Sequence, residues 1–444
     1  MAIEQDGEVK RILERAAAAK HADLEAWETA LRAAVLAAGA KALGGLLADV
    51  GSGHRSSKVI CDCGKSMESA GLKAKELLTI LGPVEYRRSM FQCPGCGKTR
   101  YPGDKELDVV GTSRSPGVRR MTARAGSKST FKEGRDDLQI YAGIAVSAKD
   151  VERIAEGIGE QVEAWLQAER KELLRREATE TQTEKTIPIM YVCYDGTGVP
   201  MIKSEVEGRK GKGADGKART REAKLGCVFT QTTTDEQGRP VRDPESTTFV
   251  GAIEEAHDFG WRIYAEALRR GLASARRVVV LGDGAKWIKT IALLHFFGAI
   301  QIVDLYHARQ HVAALCKILF SGHEKEIVRQ RTRWWTDMDD GNIQKIIREA
   351  AKRLPLLHPQ ARGEAKKEVA FLERNKERMR YADFRAQGLF VGSGVVEAGC
   401  KTVIGSRCKQ SGMEWSVRGA NAIISLRCMM MSGRLEDFWE ARAA

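Results

Sequence analysis

The segment that decides the fold is residues 187–198, Ile-Pro-Ile-Met-Tyr-Val-Cys-Tyr-Asp-Gly-Thr-Gly. An almost uninterrupted apolar run that ends in a glycine-rich turn predicts a buried β-strand. Asp195 closes the run and Gly196 follows it, so the carboxylate is predicted to stand where the strand ends and the sheet meets solvent. The segment therefore predicts the first strand of a core sheet that carries an acidic group.

Three further apolar runs predict strands at 224–232, 277–282 and 299–304. Helices are predicted before the last two of these strands, at about 254–273 and 285–295. This order describes a mixed sheet that passes into alternating α/β structure. Beyond it, the highly charged residues 308–388 predict helices, and final helices are expected at about 395–408 and 416–430.

The amino-terminal part predicts a different organisation. Residues 9–50 predict two helices interrupted at Gly44-Gly45, and residues 58–103 form a short cysteine-bearing segment with a hairpin around Gly82-Pro83. Residues 118–180 return to helix.

A helix-turn-helix is one interpretation of this last region. It would consist of a helix near 129–142, a turn at 143–147 and a helix from 148, with Ser147 as its N-cap. Such helix pairs are also common in domains that do not contact DNA.

The composition is basic, with 72 Lys+Arg against 59 Asp+Glu and a net charge of +13 over 444 residues. This excess favours a polyanionic partner, usually nucleic acid, although solubility alone could explain it. No run of about 18 apolar residues was identified, so no membrane span is expected. The first residues carry no secretory signal pattern. We therefore expect a cytoplasmic protein whose ten cysteines are reduced thiols or metal ligands.

Two cysteine pairs predict a metal site. Cys61-Asp62-Cys63 and Cys93-Pro94-Gly95-Cys96 are separated by about 30 residues, and each second cysteine precedes a glycine. Four thiolates on two tight turns suit tetrahedral Zn²⁺, as in a DNA-reading zinc ribbon. The single residue between Cys61 and Cys63 departs from the usual spacing, and four reduced cysteines without metal remain the alternative.

Three acidic residues form a constellation along the chain. Asp195 and Asp283 each follow an apolar strand, and Glu397 opens a helix after the glycine-rich turn Gly392-Ser393-Gly394. A single aspartate at such a place is usually a turn or helix cap. Three carboxylates brought together would instead repel one another unless a divalent cation intervened, which predicts a Mg²⁺ or Mn²⁺ site for phosphoryl chemistry. His307, after a further strand, could orient a phosphate or could be a structural residue.

Basic residues near these acids are candidates for DNA contact. Arg209, Lys210, Lys212, Lys217 and Arg219 lie in a glycine-rich loop between the first two core strands, which is either a mobile phosphate-binding arm or a solvated hairpin tip. The basic residues after Glu397, either phosphate contacts or a solvated helix face, are Lys401, Arg407 and Lys409.

The ordered motifs resemble the bacterial ISKra-type insertion-sequence transposases, relatives of the Mutator-like group. The resemblance extends over about residues 58–430, and its motifs are Asp-Gly-Thr-Gly-Val-Pro (195–200), Arg-Glu-Ala-Lys-Leu-Gly (221–226), Gly-Asp-Gly-Ala-Lys-Trp-Ile (282–288), Val-Asp-Leu-Tyr-His-Ala (303–308), Gly-Ser-Gly-Val-Val-Glu (392–397) and Gly-Met-Glu-Trp-Ser (412–416). Ala223 and Glu414 depart from the family pattern, which puts local DNA contacts in doubt but not the chemistry.

The resemblance implies an α/β RNase H-like catalytic core with a DDE triad of Asp195, Asp283 and Glu397, and an Asp304…His307 signature. It implies a DNA transposase that binds terminal inverted repeats and performs Mg²⁺-dependent cleavage and strand transfer, as a homo-oligomer, a dimer, on element-end and target DNA. The predicted regions are helical 1–57, a zinc ribbon 58–117, a helical DNA-binding region 118–185, core parts 186–307 and 391–444, and an all-helical insertion 308–390.

Two other functions are compatible with these residues. A structure-specific nuclease of the resolvase kind would cleave without joining and without preference for an end sequence. A DNA-binding regulator descended from a transposase would need none of the three carboxylates, and the presence of all three argues against it.

Overall fold

The computed structural model describes residues 7–18, 23–51, 59–177, 186–211 and 215–443. The chain divides into two compact units, residues 1–155 and 156–444. The boundary lies inside one continuous helix, Ala148–Glu177, within the region predicted as helical DNA-binding structure.

The first unit combines helices with a small antiparallel sheet. Its elements are α1 (Gly7–Ala18), α2 (Leu24–Gly51), β1 (Val59–Ile60), β2 (Ser66–Thr79), β3 (Gly82–Gln92), β4 (Thr99–Arg100), α3 (Pro102–Glu106), α4 (Pro116–Lys128), α5 (Phe131–Asp137) with a π-helical extension (Leu138–Ala142), and the start of α6 (Ala148–Glu177). The four strands follow one another in the sheet, in the order β1-β2-β3-β4. The predicted hairpin is present, because Thr79 pairs with Gly82 across the turn.

Helix α2 differs from the prediction, because it continues through Gly44-Gly45 to Gly51. Ala40 and Leu47 flank the glycine pair and are buried with Leu77 and Val84 of the β2–β3 hairpin. Glycine lowers helix propensity by about 1 kcal/mol relative to alanine. Burial of an apolar helix face against the sheet outweighs that cost here.

The shape predicted for residues 129–177 is confirmed. Thr130 and Glu133 form a reciprocal capping box at the start of α5. Ser147 caps α6, since its Oγ accepts a hydrogen bond of 3.0 Å from the Asp150 amide. A helix, a turn at 143–147 and a second helix are therefore present, while contact of this pair with DNA remains a prediction.

Part of α2, Leu24–Ala48, is long and apolar enough to cross a membrane by length and composition, and 11% of its most apolar window is buried. The sequence expectation used a different criterion, an unbroken run of about 18 apolar residues, and Arg32 and Lys41 interrupt this helix. Core helices and signal sequences also pass the test of length and composition, so one such helix is weak evidence for a membrane.

The second unit is a mixed sheet covered by helices. After the end of α6, its elements are β5 (Ile187–Pro200), α7 (Lys203–Val206), β6 (Thr220–Gln231), β7 (Thr233–Thr234), β8 (Pro240–Val241), β9 (Thr248–Ala252), α8 (Ala256–Arg269), β10 (Ala275–Gly282), α9 (Lys286–His295), β11 (Ile300–Val303), α10 (Leu305–Leu319), α11 (Glu324–Asp339), α12 (Ile343–Arg353), α13 (Pro359–Asn375), α14 (Tyr381–Ala386), α15 (Gly394–Gly399) with a π-helical extension (Cys400–Gly405), α16 (Ser406–Cys408), α17 (Val417–Met431) and α18 (Leu435–Ala443).

The main sheet has the strand order β11-β10-β5-β6-β9. Strands β5, β6 and β9 form an antiparallel meander. Strand β10 returns beside β5 in parallel, and β11 pairs in parallel with β10. The first strand of the sheet is thus its central strand, buried on both sides.

Alternation along β5 assigns its residues to two faces. Met190, Val192 and Tyr194 share a buried cluster with residues of α8 and α9. Tyr191 belongs to the opposite face, where its ring stacks on Phe229 at 4.7 Å. Helices α15 and α17 pack against β6 and β9. Asp195 is in phase with Tyr191 and therefore belongs to the face that α15 covers.

Helices α10–α14 form the segment between β11 and α15, which confirms the predicted helical character of residues 308–388. Trp334, Ile346 and Leu372 are fully buried among these helices, and α10 packs against α11 and α13. Helix 395–408 is found as α15 and α16 joined by the π-helical turns.

Candidate functional site

Three aspartates stand at one level of the main sheet. The pairing of Leu281 with Cys193, extended by two residues, places Asp283 beside Asp195. The pairing of Gly282 with Val303 places Asp304 beside Asp283. Asp195 differs from its predicted place at a strand end, because β5 continues to Pro200 and Asp195 pairs with Leu225. The residues after Asp195 extend the strand because β6 continues to pair with them.

Asp195 occupies a partly buried, acidic environment. Burial raises the pKa of its carboxyl, and the negative charge of Asp283 adds to the rise; Cys400, the amide of Gly196 and His307 oppose it. The Gly196 amide donates a hydrogen bond of 2.7 Å to Asp195 Oδ1. A raised carboxyl pKa means that the charged form is disfavoured in this site as it stands. A divalent cation would favour that form.

The two oxygens of Asp283 have different surroundings. Oδ1 accepts a hydrogen bond of 2.8 Å from the amide of Ala285, as in an ordinary turn. Oδ2 lies 3.9 Å from Nε2 of His307. The turn-cap interpretation of Asp283 therefore accounts for Oδ1, whereas Oδ2 faces His307.

Asp304 holds two segments of the site together. Its Oδ1 accepts a hydrogen bond of 2.7 Å from the His307 amide and so caps α10. Its other oxygen accepts a hydrogen bond from the amide of Ser393, four residues before Glu397. Asp304 is 4% exposed, and it ties the start of the α10–α14 segment to the turn that precedes α15.

Glu397 lies on α15, three residues before Cys400, whose thiol interacts with Asp195. The helix comes close to the sheet at Gly399, where a Cβ atom would lie 2.6 Å from the Phe249 ring. The Glu397 side chain is 55% exposed and pairs with Lys401 at 2.9 Å. Within the described ranges, the four paired cysteines are the one group of three or more candidate ligands whose atoms all lie within 4.8 Å, so the three carboxylates are not yet that close.

The basic residues after Glu397 have different surroundings. Lys409 Nζ donates a hydrogen bond of 2.8 Å to Thr197 Oγ1, two residues from Asp195 on the same face of β5. Arg407 is fully buried, with its guanidinium carbon 4.9 Å from the centre of the Trp415 ring. A phosphate of duplex DNA cannot reach a buried guanidinium, so the predicted DNA contact of Arg407 is wrong and the residue serves packing.

In the basic loop, Lys210 and Lys217 form an antiparallel bridge. Arg209, Lys210, Lys217 and Arg219 are exposed, and Arg219 pairs with Asp215 at 3.1 Å. Lys212 lies outside the described residues. The exposed cations fit both interpretations of the loop.

The four paired cysteines converge. Sγ of Cys61 lies 3.5 Å from Sγ of Cys96, and Sγ of Cys63 lies 3.5 Å from Sγ of Cys93. A tetrahedron of sulfurs about 2.3 Å from Zn²⁺ has edges of about 3.8 Å. The cluster is therefore compatible with a zinc site.

The thiols of this cluster differ in acidity. Burial raises the pKa of Cys93, but the amides of Cys96 and Gly95 outweigh that effect and lower it to about 6. The Lys98 amide lowers the pKa of Cys96, yet its contacts with the thiols of Cys61 and Cys93 raise it to about 11. Contacts with neighbouring thiols thus oppose ionisation of Cys96, and a bound cation would favour its thiolate form.

The cations that flank the cysteines are already paired. Lys98 and Arg100 both pair with Asp62, and the Arg100 guanidinium lowers the pKa of that carboxyl. Arg88 pairs with the buried Asp104. These ion pairs stabilise the ribbon. Contact of Arg88, Lys98 or Arg100 with DNA would require the ion pair with Asp104 or Asp62 to break.

Sequence reasoning missed two residues of the acidic site. Cys400 was not singled out in the sequence, although its position one helical turn after Glu397 is a signal that it faces the same side. Arg378 interacts electrostatically with Asp283 from nearly a hundred residues further along the chain, and no local pattern marks it.

The fold and the two clusters define an α/β protein with a four-cysteine cluster and an acidic site on a mixed sheet. The chain belongs to the uncharacterised protein family UPF0236, whose model matches residues 70–442. No curated protein matches it in sequence. Among solved structures, it is similar to the Drosophila P element transposase strand transfer complex, with 10% identity, coverage of 76% of this chain and 83% of the other, and a TM-score of 0.24.

Proposed function

We propose that this protein is a DNA transposase of the ISKra type, with an RNase H-like core and a DDE triad of Asp195, Asp283 and Glu397. The observation that carries the proposal is that Asp195 and Asp283 each follow by two residues the last paired position, Cys193 with Leu281, of the adjacent parallel strands β5 and β10, and that the charge of Asp283 contributes to the raised pKa of Asp195. Mg²⁺ is bound by one or two carboxylates together with phosphate oxygens and water, so two neighbouring carboxylates suit Mg²⁺ beside a phosphate.

The topology of the sheet supports the RNase H-like assignment. Such a core has an antiparallel three-stranded meander whose first strand is central, followed by two parallel strands, as in β5, β6, β9, β10 and β11. The helices between β11 and α15 would be the insertion, and α15 would carry the third acid.

Each residue of the site has a distinct task under this proposal. Asp195 and Asp283 would hold Mg²⁺. Glu397 would become a further ligand once its ion pair with Lys401 is broken. When bound, two such ions stabilise the attacking and the leaving oxygen of a phosphodiester. His307 would hold the Asp283 carboxylate in place, and Asp304 would keep Glu397 within reach through Ser393. Lys409 would place a positive charge beside the DNA backbone.

The first unit would supply DNA binding. The cysteine cluster with Zn²⁺ would hold the ribbon folded, and the helix pair around Ser147 would contact the element ends. The exposed lysines of residues 209–219, which belong to the second unit, would add contacts to DNA phosphates. Transposition would take place on double-stranded DNA in the bacterial cytoplasm, with the protein acting as a dimer.

The decisive experiment incubates the protein with Mg²⁺, the DNA that flanks its gene and a target plasmid, and sequences any joined products. Asp283→Asn should reduce cleavage and joining by several orders of magnitude, because an amide oxygen is a far weaker Mg²⁺ ligand than a carboxylate. DNA binding should persist, since it depends on cations elsewhere.

Asp258→Asn is a matched control, because it removes the same carboxylate charge from an aspartate in the first turn of α8. It should leave joining intact. If Asp283→Asn retained more than about a tenth of wild-type joining, Asp283 would not be a ligand of a metal site whose residues act as one unit. The proposed mechanism would then be refuted. Cleavage without joining would favour the nuclease instead.

A further inference from the structure

We infer that Arg378, contributed by the helical segment between β11 and α15, is a phosphate-binding residue of the acidic site and holds the DNA backbone next to Asp283. The inference rests on the proposed function, which it extends by naming the group that receives the substrate's phosphate. It assigns the inserted helices a direct part in the site.

The inserted segment comes back to the strand ends at residues 371–381. A Cβ atom on Gly284, whose φ is +85°, would lie 3.1 Å from the Phe371 ring and 3.4 Å from Nδ2 of Asn375. Tyr381 donates a hydrogen bond of 3.0 Å from its hydroxyl to the carbonyl of Val303, at the end of β11. Arg378 lies between these anchors, so the segment cannot move away from Asp283 without breaking buried contacts.

The guanidinium is positioned by a buried amide. Asn375 is 1% exposed; its Nδ2 donates to the Phe371 carbonyl at 2.9 Å, and its Oδ1 accepts a hydrogen bond from Arg378. Among the described residues this is the one hydrogen-bond partner of Arg378, although a guanidinium has five N–H donors.

Charge and position indicate what the remaining donors bind. Arg378 is half-buried and interacts electrostatically with Asp283. Within the described residues, Arg378 and Asp283 nevertheless form no ion pair at 4.0 Å or less. Asn375, which binds the Arg378 guanidinium, lies beside Gly284, the residue after Asp283, so the guanidinium is placed to bind a phosphate that a metal on Asp283 would also hold. Arginine binds phosphate through two parallel N–H···O bonds, which a lysine or a neutral residue cannot reproduce.

The test compares Arg378→Gln with Arg380→Gln, two residues further along. Arg380 carries the same charge on the same segment, but its side chain is exposed and its ion-pair partner is Asp383, at 3.9 Å. Binding of a fluorescent DNA duplex is measured against salt concentration with Ca²⁺ in place of Mg²⁺, so that no cleavage is needed. Arg378→Gln should reduce the log–log salt slope by about 0.9, and Arg380→Gln should leave it unchanged.

A second measurement titrates Mn²⁺ into the DNA-free protein. Removing the cation that faces Asp283 should tighten Mn²⁺ binding in Arg378→Gln and not in Arg380→Gln. Arg378→Lys keeps the charge, so it should retain the salt slope and the Mn²⁺ affinity and lose part of the DNA affinity. Thermal unfolding of each variant shows whether the fold is retained.

These results separate the inference from the proposed function. Equal slopes in Arg378→Gln and the wild type, or equal losses in Arg378→Gln and Arg380→Gln, would overturn the role of Arg378 even if the protein joins DNA. If no joining activity exists but the slope and Mn²⁺ affinity change only in Arg378→Gln, the phosphate site stands and the transposase proposal fails.

Discussion

Nε2 of His307 lies 3.9 Å from Oδ2 of Asp283, and the imidazole is carried on the first turn of a helix that Asp304 caps. Groups that orient a metal-binding carboxylate typically change activity by about 10–100-fold when removed. We therefore expect His307→Asn to reduce DNA cleavage by about that factor and to leave DNA binding nearly unchanged. Single-turnover cleavage and duplex binding measure the two effects.

His323→Asn is the control for this variant, because His323 is exposed and its Nδ1 lies near the carbonyl of Ser321, at 3.1 Å. Cleavage should be normal in it. Equal losses in the two variants would show that His307 acts on general stability rather than on Asp283.

The cysteine cluster predicts a structural zinc site. Purified protein should contain about one Zn²⁺ per chain, and Cys93→Ser should lose it, because three remaining thiolates cannot close a tetrahedron. Since the ribbon has a small core of its own, metal loss should also expose residues 59–101 to protease. Elemental analysis and limited proteolysis measure both effects.

Asp62→Asn separates metal ligation from the nearby ion pairs. It removes the partner of Lys98 and Arg100 but none of the thiols. It should retain its zinc. A zinc content that is low in the wild type and unchanged by Cys93→Ser would contradict the metal site.

Replacing the basic residues of the 209–219 segment should weaken DNA binding to different degrees. Lys210 and Lys217 are exposed, whereas Arg219 is partly neutralised by Asp215 at 3.1 Å. Replacing both lysines by alanine should weaken binding to all DNA sequences alike and reduce the log–log salt slope by about 1.8. Arg219→Ala should have a smaller effect.

Lys366 and Lys367 are exposed on α13 and provide a charge-matched double variant. If it lowers the salt slope as much as the Lys210 and Lys217 replacement does, the hairpin is merely a solvated tip in a generally basic protein. A slope that changes only in the hairpin variant supports a phosphate-binding arm.

Local signals predicted the strands that lie in the centre of the sheet and the main turns. Strands β5, β6, β10 and β11 were all expected, because buried strands consist of long apolar runs. Ser147 was recognised as a cap because it precedes a long helical pattern, and a cap depends only on neighbouring residues. The same reasoning correctly placed Asp283 directly after its strand.

Features that depend on distant pairing were not predictable. Strand β9 is five residues long and is a strand because it pairs with β6, not because of its composition. The extension of β5 beyond Asp195 has the same origin. Arg407 belongs to a basic, surface-like sequence, yet the packing of Trp415 buries it. Arg378 interacts with Asp283 only because the four helices α10–α13 return the chain to the strand ends.

The pKa of Asp195 makes a prediction about stability. Burial raises the pKa of this carboxyl above its ordinary value of 3.8, so the folded protein holds the proton more tightly than the unfolded chain. Stability from this group is therefore complete below pH 3.8 and is lost as pH rises through the folded-state pKa. Without metal, Asp195→Asn should raise the melting temperature at neutral pH, with the gain disappearing in acid.

Divalent metal should reverse the comparison between Asp195→Asn and the wild type. A ligand that binds only the folded state stabilises it by about 2.7 kcal/mol at a hundred times its dissociation constant, so Mn²⁺ should raise the melting temperature of the wild type. It should have little effect on Asp195→Asn, in which a ligand has been removed. Thermal unfolding at several pH values, with and without Mn²⁺, measures both effects. If Asp195 were only a structural turn residue, the asparagine variant would be less stable at neutral pH and Mn²⁺ would affect both proteins alike, which would leave the acidic site without a metal.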